Sequence, residues 1–130
     1  MKHYPYSMYL YLAGALFLAT PMLHAHEMGA EKGQGDTMAQ GEVVDMACYM
    51  GHEARGAKHK DCAEMCVKGG MPMGLVTDKG DVYLLLEDHT NKDAYQSLKG
   101  MVADNVKVVG DLHKRGGLQA IIVEKAEKAG

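Results

Sequence analysis

Aromatic residues are scarce in this chain of 130 residues, which has no tryptophan and a single phenylalanine. Phe17 lies in an apolar segment near the N-terminus, so beyond that segment the only aromatic residues are Tyr49, Tyr83 and Tyr95. We therefore predict a modest, aliphatic core. The scarcity also leaves few flat side chains on which sugar rings or bases could stack.

An excess of positive charge is also missing, because 14 basic residues face 17 acidic ones and the formal net charge is −3. Polyanions bind to surfaces rich in Lys and Arg, so we expect no nucleic-acid partner. The sequence also contains no Ser-His-Asp pattern, no phosphate loop and no Cys-x-x-Cys-His haem motif. We therefore expect a binding protein rather than an enzyme.

No apolar run is long enough to span a bilayer, which takes about 20 residues. The run from Met8 to Ala19 follows a weakly basic start and is broken by Pro21, which is typical of a signal peptide over residues 1–25 that is cleaved after Ala25. The predicted destination is the periplasm or the exterior, with no membrane contact after cleavage. Residues 26–40 have no apolar periodicity, and we predict a flexible tail there.

The remaining chain, residues 41–127, is predicted to form one domain of short strands and helices. Its order of elements is one strand, an insertion over residues 48–71, two strands, a helix and two strands, which is typical of a small five-stranded OB-like barrel, a mainly β fold with short helices. Asp61 and Glu64 have the spacing of a capping box, which predicts the start of a helix over 62–68. The predicted strands are 42–48, 74–77, 82–86, 105–110 and 118–123, and the second predicted helix is 91–99.

The insertion contains all three cysteines of the chain. Cys62 and Cys66 are four residues apart and therefore lie on one face of the predicted helix, while His59 precedes Cys62 by three residues. Cys48 is expected at the end of the first strand, from which it can reach the other two. Three thiolates and one imidazole are a typical ligand set for Zn²⁺, and soft ligands also suit Cu(I). The sequence therefore predicts an exported carrier, buffer or sensor of Cu(I) or Zn²⁺, with a periplasmic protein as a further possible partner.

Other residues in or just after the insertion are candidate ligands or have ordinary structural alternatives. Met65 and Met73 offer thioethers that favour Cu(I), although methionine more often fills a core. His52 is the other histidine of the insertion, whereas His89 and His113 are expected in exposed turns.

Two alternatives to metal binding remain open for the cysteines. In an exported protein, Cys48 can form a disulfide with Cys62 or Cys66 and brace an OB module that binds a protein or an oligosaccharide. Alternatively, Cys62 at a helix start can attack a substrate disulfide, with Cys66 or Cys48 resolving the product, in a thiol-redox protein.

Two motifs resemble a group of small exported bacterial proteins of OB-like fold. The first is Gly-x-Val-Val-Asp-x-x-Cys-Tyr over 41–49, and the second is His-x-x-Cys-Ala-x-x-Cys over 59–66. The resemblance covers roughly residues 41–125, nearly the whole predicted domain, and it implies export and the barrel fold.

A looser resemblance concerns the cysteine loop alone. Cys62-Ala-Glu-Met-Cys66, followed by Met73, is similar to the dinuclear copper A loop of terminal oxidases and to the Cys-x-x-x-Cys of Sco-type copper chaperones. Gly70 stands where the copper A loop has its histidine. What the resemblance implies is therefore a soft-metal site rather than a dinuclear electron-transfer centre.

Overall fold

The computed structural model describes residues 35–130, which form five strands, three α-helices and one 3₁₀ turn. Long-range pairing of the strands organises this part of the chain, and two of the helices lie in the insertion between the first and second strands. The elements are β1 (Asp36–Asp45), α1 (Met46–His52), the 3₁₀ turn Ala57–His59, α2 (Lys60–Lys68), β2 (Met73–Val76), β3 (Val82–Glu87), α3 (Asp93–Leu98), β4 (Asn105–Arg115) and β5 (Leu118–Lys128).

The strands close into a barrel in the order β1-β2-β3-β5-β4. Neighbouring strands are antiparallel except β3 and β5, which run parallel, and α3 lies in the connection between β3 and β4. The predicted fold class is therefore confirmed: the domain is mainly β, with a small five-stranded OB-like barrel and a cysteine-bearing insertion after the first strand.

Strand β1 begins earlier than the sequence predicts. Residues 36–42 pair with β4, and residues 42–45 then pair with β2. Residues 36–40 therefore belong to the barrel rather than to a tail, because pairing with β4 supplies order that their own composition does not indicate. The predicted signal peptide, residues 1–25, and the rest of the predicted tail, residues 26–34, lie outside the described residues.

Strand β4 is also longer than predicted, because the hairpin between β4 and β5 is very tight; β5 begins at Leu118 as predicted and extends at its other end to Lys128. Gly116 and Gly117 both have positive φ, at 56° and 81°, which is the conformation of a two-residue turn that continues the twist of both strands. The strands therefore pair up to Arg115 and Leu118. As a consequence His113, which was expected in an exposed turn, is a half-buried residue of β4.

The barrel interior is aliphatic, as the shortage of aromatic residues predicts. Alternate residues of the strands point inward, and the side chains of Leu98 from α3 and Val67 from α2 extend the same cluster. No aromatic side chain of residues 35–130 is fully buried, although Tyr83 and Tyr95 pack against the cluster. The strand residues of this core are Val43, Met73, Leu75, Leu85, Val106, Val108, Ile121 and Val123.

The end of β1 differs from the sequence prediction in a way that matters for the cysteines. The alternation through Met46 and Cys48 indicated a strand, but β1 stops at Asp45, whose side chain caps α1. Cys48 therefore lies in a short helix rather than at a strand end. Helix α2 likewise begins at Lys60, so Asp61 occupies its first turn, where an acid is favourable, and does not cap it.

Gly110 lies at the irregularity of the β4–β5 pairing, where a Cβ atom would overlap the carbonyl oxygen of Ile122. We expect Gly110→Ala to destabilise the protein by about 1–3 kcal/mol, the usual cost of overpacking, measured by urea unfolding. The control is Gly100→Ala, whose Cβ would lie 3.6 Å from the nearest atom, the carbonyl oxygen of Ser97. Equal unfolding midpoints for the two variants would contradict this interpretation of the barrel wall.

Candidate metal site

The three cysteines come together from the two helices of the insertion. Cys48 lies in α1, whereas Cys62 and Cys66 lie one turn apart in α2. Their sulfur atoms are 4.2–4.4 Å from one another, and all three thiols are free. These separations are about twice the disulfide bond length of about 2.05 Å. They are close to the roughly 4 Å between sulfurs that surround one ion at about 2.3 Å. The cluster can therefore hold a soft metal ion with small adjustments.

The orientation of α2 explains why its two cysteines face the third. Ala63 and Val67 are buried and fix the inner face of the helix. Cys62 and Cys66 each precede one of these residues, so they lie along the flank of the same helix. Cys62 is exposed and Cys66 is half-buried. The cluster is therefore open to solvent on the Cys62 side.

Polar contacts anchor the insertion to the barrel at the loop after α1 and at the start of α2. Glu42 of β1 accepts a hydrogen bond from the backbone N–H of Gly56 and forms a salt bridge with Arg55, with 3.3 Å between Nε and Oε2. Lys60, the first residue of α2, lies 3.0 Å from Asp104 Oδ1. Each contact joins the insertion to a residue of the barrel or of the turn before β4. These contacts hold the insertion, and with it the cysteines, against the barrel.

Asp45 gives the cluster its electrostatic character. It is 1% exposed; its Oδ1 accepts a hydrogen bond of 3.0 Å from Ala47 N, and its buried Oδ2 has no hydrogen-bond partner among the described residues. The proximity of this carboxylate, followed by burial, raises the pKa of Cys48 to about 12. Burial, followed by the charge of Asp45, also raises the pKa of Cys66. A metal that binds both sulfurs must therefore displace protons.

The structure brings together three of the predicted site residues, Cys48, Cys62 and Cys66. Neither His59 nor His52 belongs to the group of ligand atoms that lie within 4.8 Å of one another, and both side chains are exposed. Met65 is 71% exposed on α2. Met73 is fully buried in the aliphatic core, so it fills the barrel as methionine commonly does.

Sequence reasoning missed Asp45 as part of the site. An available signal was the acid directly after Val43 and Val44, since an Asp that interrupts an apolar alternation is a common N-cap. Its place beside the cysteines, however, depends on the path of the whole insertion.

Two other features of the barrel share no residue with the cysteine cluster. The carboxylates of Asp36, Asp111 and Glu124 lie within 4.8 Å of one another. A groove of about 330 Å³ lies on the outer face of β3, β4 and β5. Its walls are aliphatic apart from two side chains, and they comprise Leu84, Leu86, Leu118, Ala120 and Ile122 together with His113 and Arg115.

Comparison of the chain with protein-family models, curated proteins and solved structures finds no match in any of the three. The functional inference therefore depends on the geometry of the cysteine cluster. Within residues 35–130, no helix has both the length and the apolar character needed to cross a membrane.

Asp104 links the start of α2 to the end of the barrel, because Lys60 and Lys128 both form salt bridges with it, at 3.0 Å and 2.8 Å. These contacts lower the pKa of Asp104, with Lys128 the larger cause. The folded-state pKa is thus below the unfolded one, so the stabilisation is present above the unfolded pKa and is lost as the pH falls through the folded pKa.

We expect Asp104→Asn to lower the free energy of unfolding at pH 7 by up to about 1 kcal/mol. The difference from the wild-type protein should vanish at a pH below the folded pKa of Asp104, which urea unfolding at several pH values measures. Asp78→Asn, at an exposed turn residue with no salt bridge among the described residues, is the control. A loss that is the same at every pH would contradict the ionic explanation.

Proposed function

We propose that this protein is an exported soft-metal-binding protein that handles Cu(I) or Zn²⁺ as a carrier, buffer or sensor. The observation that carries the proposal is the convergence of three free thiols from two helices at 4.2–4.4 Å. Thiolates are the ligands that both Cu(I) and Zn²⁺ accept readily in proteins.

The openness of the cluster favours transfer of the ion over permanent structural binding. Structural zinc sites are closed by four protein ligands, whereas sites that exchange a ligand keep a position open. Among the described residues, the cluster offers three ligands, all of them cysteines, and Cys62 is exposed to solvent. The open position is available to His59 after a movement of its side chain, to water, or to a donor from a periplasmic partner protein.

Anchoring of the insertion supports the same function. Because Glu42 holds the loop after α1 and Asp104 holds the start of α2 on the barrel, protein contacts support the cluster independently of a metal. Zinc-finger domains, by contrast, are unfolded without their ion. A carrier or buffer must remain folded both with and without its cargo.

The proposed location, the periplasm or the exterior, follows from the signal-like segment over residues 1–25. Thiols are exposed to oxidation there, and the thiolate is the reactive form. The raised pKa values of Cys48 and Cys66 keep these thiols protonated near neutral pH. Slow oxidation of the metal-free cluster is therefore compatible with an oxidising compartment.

Metal binding is tested on reduced protein with single substitutions. Cys62→Ser and Cys66→Ser should each abolish tight binding of Cu(I) and Zn²⁺, because either removes one of three sulfurs, whereas His89→Ala in an exposed turn should not. Competition with chelators measures the affinities. X-ray absorption of the loaded protein should show sulfur at about 2.3 Å.

The outcomes separate the alternatives. A protein that is isolated without metal, has one free thiol and gains no metal affinity on reduction is a disulfide-braced binding module, and the metal proposal is then wrong. Reversible exchange of a cysteine pair with substrate disulfides, without metal binding, would instead establish the thiol-redox function.

Export has a test of its own. Protein recovered from the periplasmic fraction of a bacterial host should have an intact mass that begins at His26, because the predicted signal peptide ends in the small residue Ala25. A protein that retains Met1 in that fraction would contradict the cleavage, and recovery from the cytoplasm alone would contradict export.

A further inference from the structure

The side chain of Asp45 carries a negative charge and a second oxygen that its role as the N-cap of α1 does not require. An N-cap needs one oxygen that accepts a backbone hydrogen bond, and Oδ1 meets that need by accepting from Ala47 N. Asn or Ser would do the same without a charge. The second oxygen of Asp45 is buried and has no hydrogen-bond partner among the described residues.

A buried carboxylate is costly unless a cation or several donors compensate it. No Lys, Arg or His of residues 35–130 forms a salt bridge with Asp45. Asp45 caps α1, and Cys48 is the third residue of that helix, so the carboxylate lies beside the cluster that Cys48 forms with Cys62 and Cys66. The raised pKa values of Cys48 and Cys66 agree with this placement. An ion bound by the three sulfurs would therefore be the nearest compensating positive charge.

We propose that Asp45 determines the charge preference of the cysteine cluster and favours a divalent ion such as Zn²⁺ over Cu(I). This inference depends on the proposed function, since it concerns the ion that the same three sulfurs bind. The electrostatic attraction between the carboxylate and a bound ion is proportional to the charge of the ion. With three thiolates and Asp45, the site has a net charge of −2 around a divalent ion and −3 around a monovalent one. The low exposure of Asp45 limits screening by water.

The decisive variant is Asp45→Asn, which keeps an oxygen for the cap and removes the charge. The measured quantity is the ratio of Zn²⁺ affinity to Cu(I) affinity, from chelator competition at one pH. If both ions displace protons from the same thiols, a change in competition from protons alters the two affinities equally and cancels in this ratio. If Cu(I) binds to fewer thiols than Zn²⁺, easier proton loss in the variant raises the Zn²⁺ affinity more than the Cu(I) affinity. That effect is opposite in direction to the expected fall in the ratio.

We expect the preference for Zn²⁺ to fall at least ten-fold in Asp45→Asn. Asp61→Asn is the matched control, since it removes the same charge beside Cys62 from an exposed position. Solvent screening should keep its effect on the ratio to about two-fold or less. Asp45→Ser, which also retains a capping oxygen, should reproduce the Asn result, and circular dichroism checks that all variants are folded.

An unchanged ratio in folded Asp45→Asn or Asp45→Ser overturns the inference, as does a ratio that shifts equally in Asp61→Asn. Failure of Asp45→Asn and Asp45→Ser to fold would also overturn it, because the carboxylate would then be required for the fold. If the wild-type protein binds neither ion, it is the proposed function that fails. Tight binding of both ions, with no dependence on Asp45, leaves the proposed function standing and removes only this inference.

Discussion

Closure of the barrel by β1 is the constraint on which the cysteine cluster depends. This one strand pairs with β4 along its first part and with β2 along its last residues, and the change of partner falls at Gly41 and Glu42. Gly41 has no room for a side chain, because a Cβ there would overlap the carbonyl oxygen of Val76. The close approach fixes where β1 leaves the barrel. Glu42 and Asp45 are therefore placed to hold the insertion, the first through Gly56 and Arg55 and the second through the cap of α1.

The site combines a rigid support with thiols that retain their protons. Packing of Val67 and the salt bridge of Lys60 hold α2 in place whether or not an ion is present. The carboxylate of Asp45 raises the pKa of Cys48, so the cluster holds protons where a metal would bind. Metal affinity should consequently increase with pH, as protons compete less for the sulfurs. Stability of the fold and affinity of the site thus depend largely on different contacts.

The order of elements was predictable because it depends on local patterns. Alternating apolar residues, the turn residues Asp78–Asp81 and the glycine pair at 116–117 indicate strands and hairpins within a few residues of themselves. The ends of the elements were less predictable. Cys48 was expected in a strand because Val44, Met46 and Cys48 alternate, but α1 has only seven residues and depends on its Asp45 cap and on the bond from Met46 N to the carbonyl of Pro72. Contacts of that kind join residues far apart in the chain and leave no periodic signal.

The sequence by itself determined the order of the five strands along the chain, the aliphatic core and the placement of Cys62 and Cys66 on one face of a helix, since each depends on composition or on local spacing. Only the tertiary structure decided that Cys48 joins them, that His59 lies apart from the cluster, and that Met73 fills the core. Spacing along the chain fixes which side chains share a face of a helix or strand. It does not fix the path of an irregular loop, which here follows from salt bridges and burial against a barrel that closes through long-range pairing.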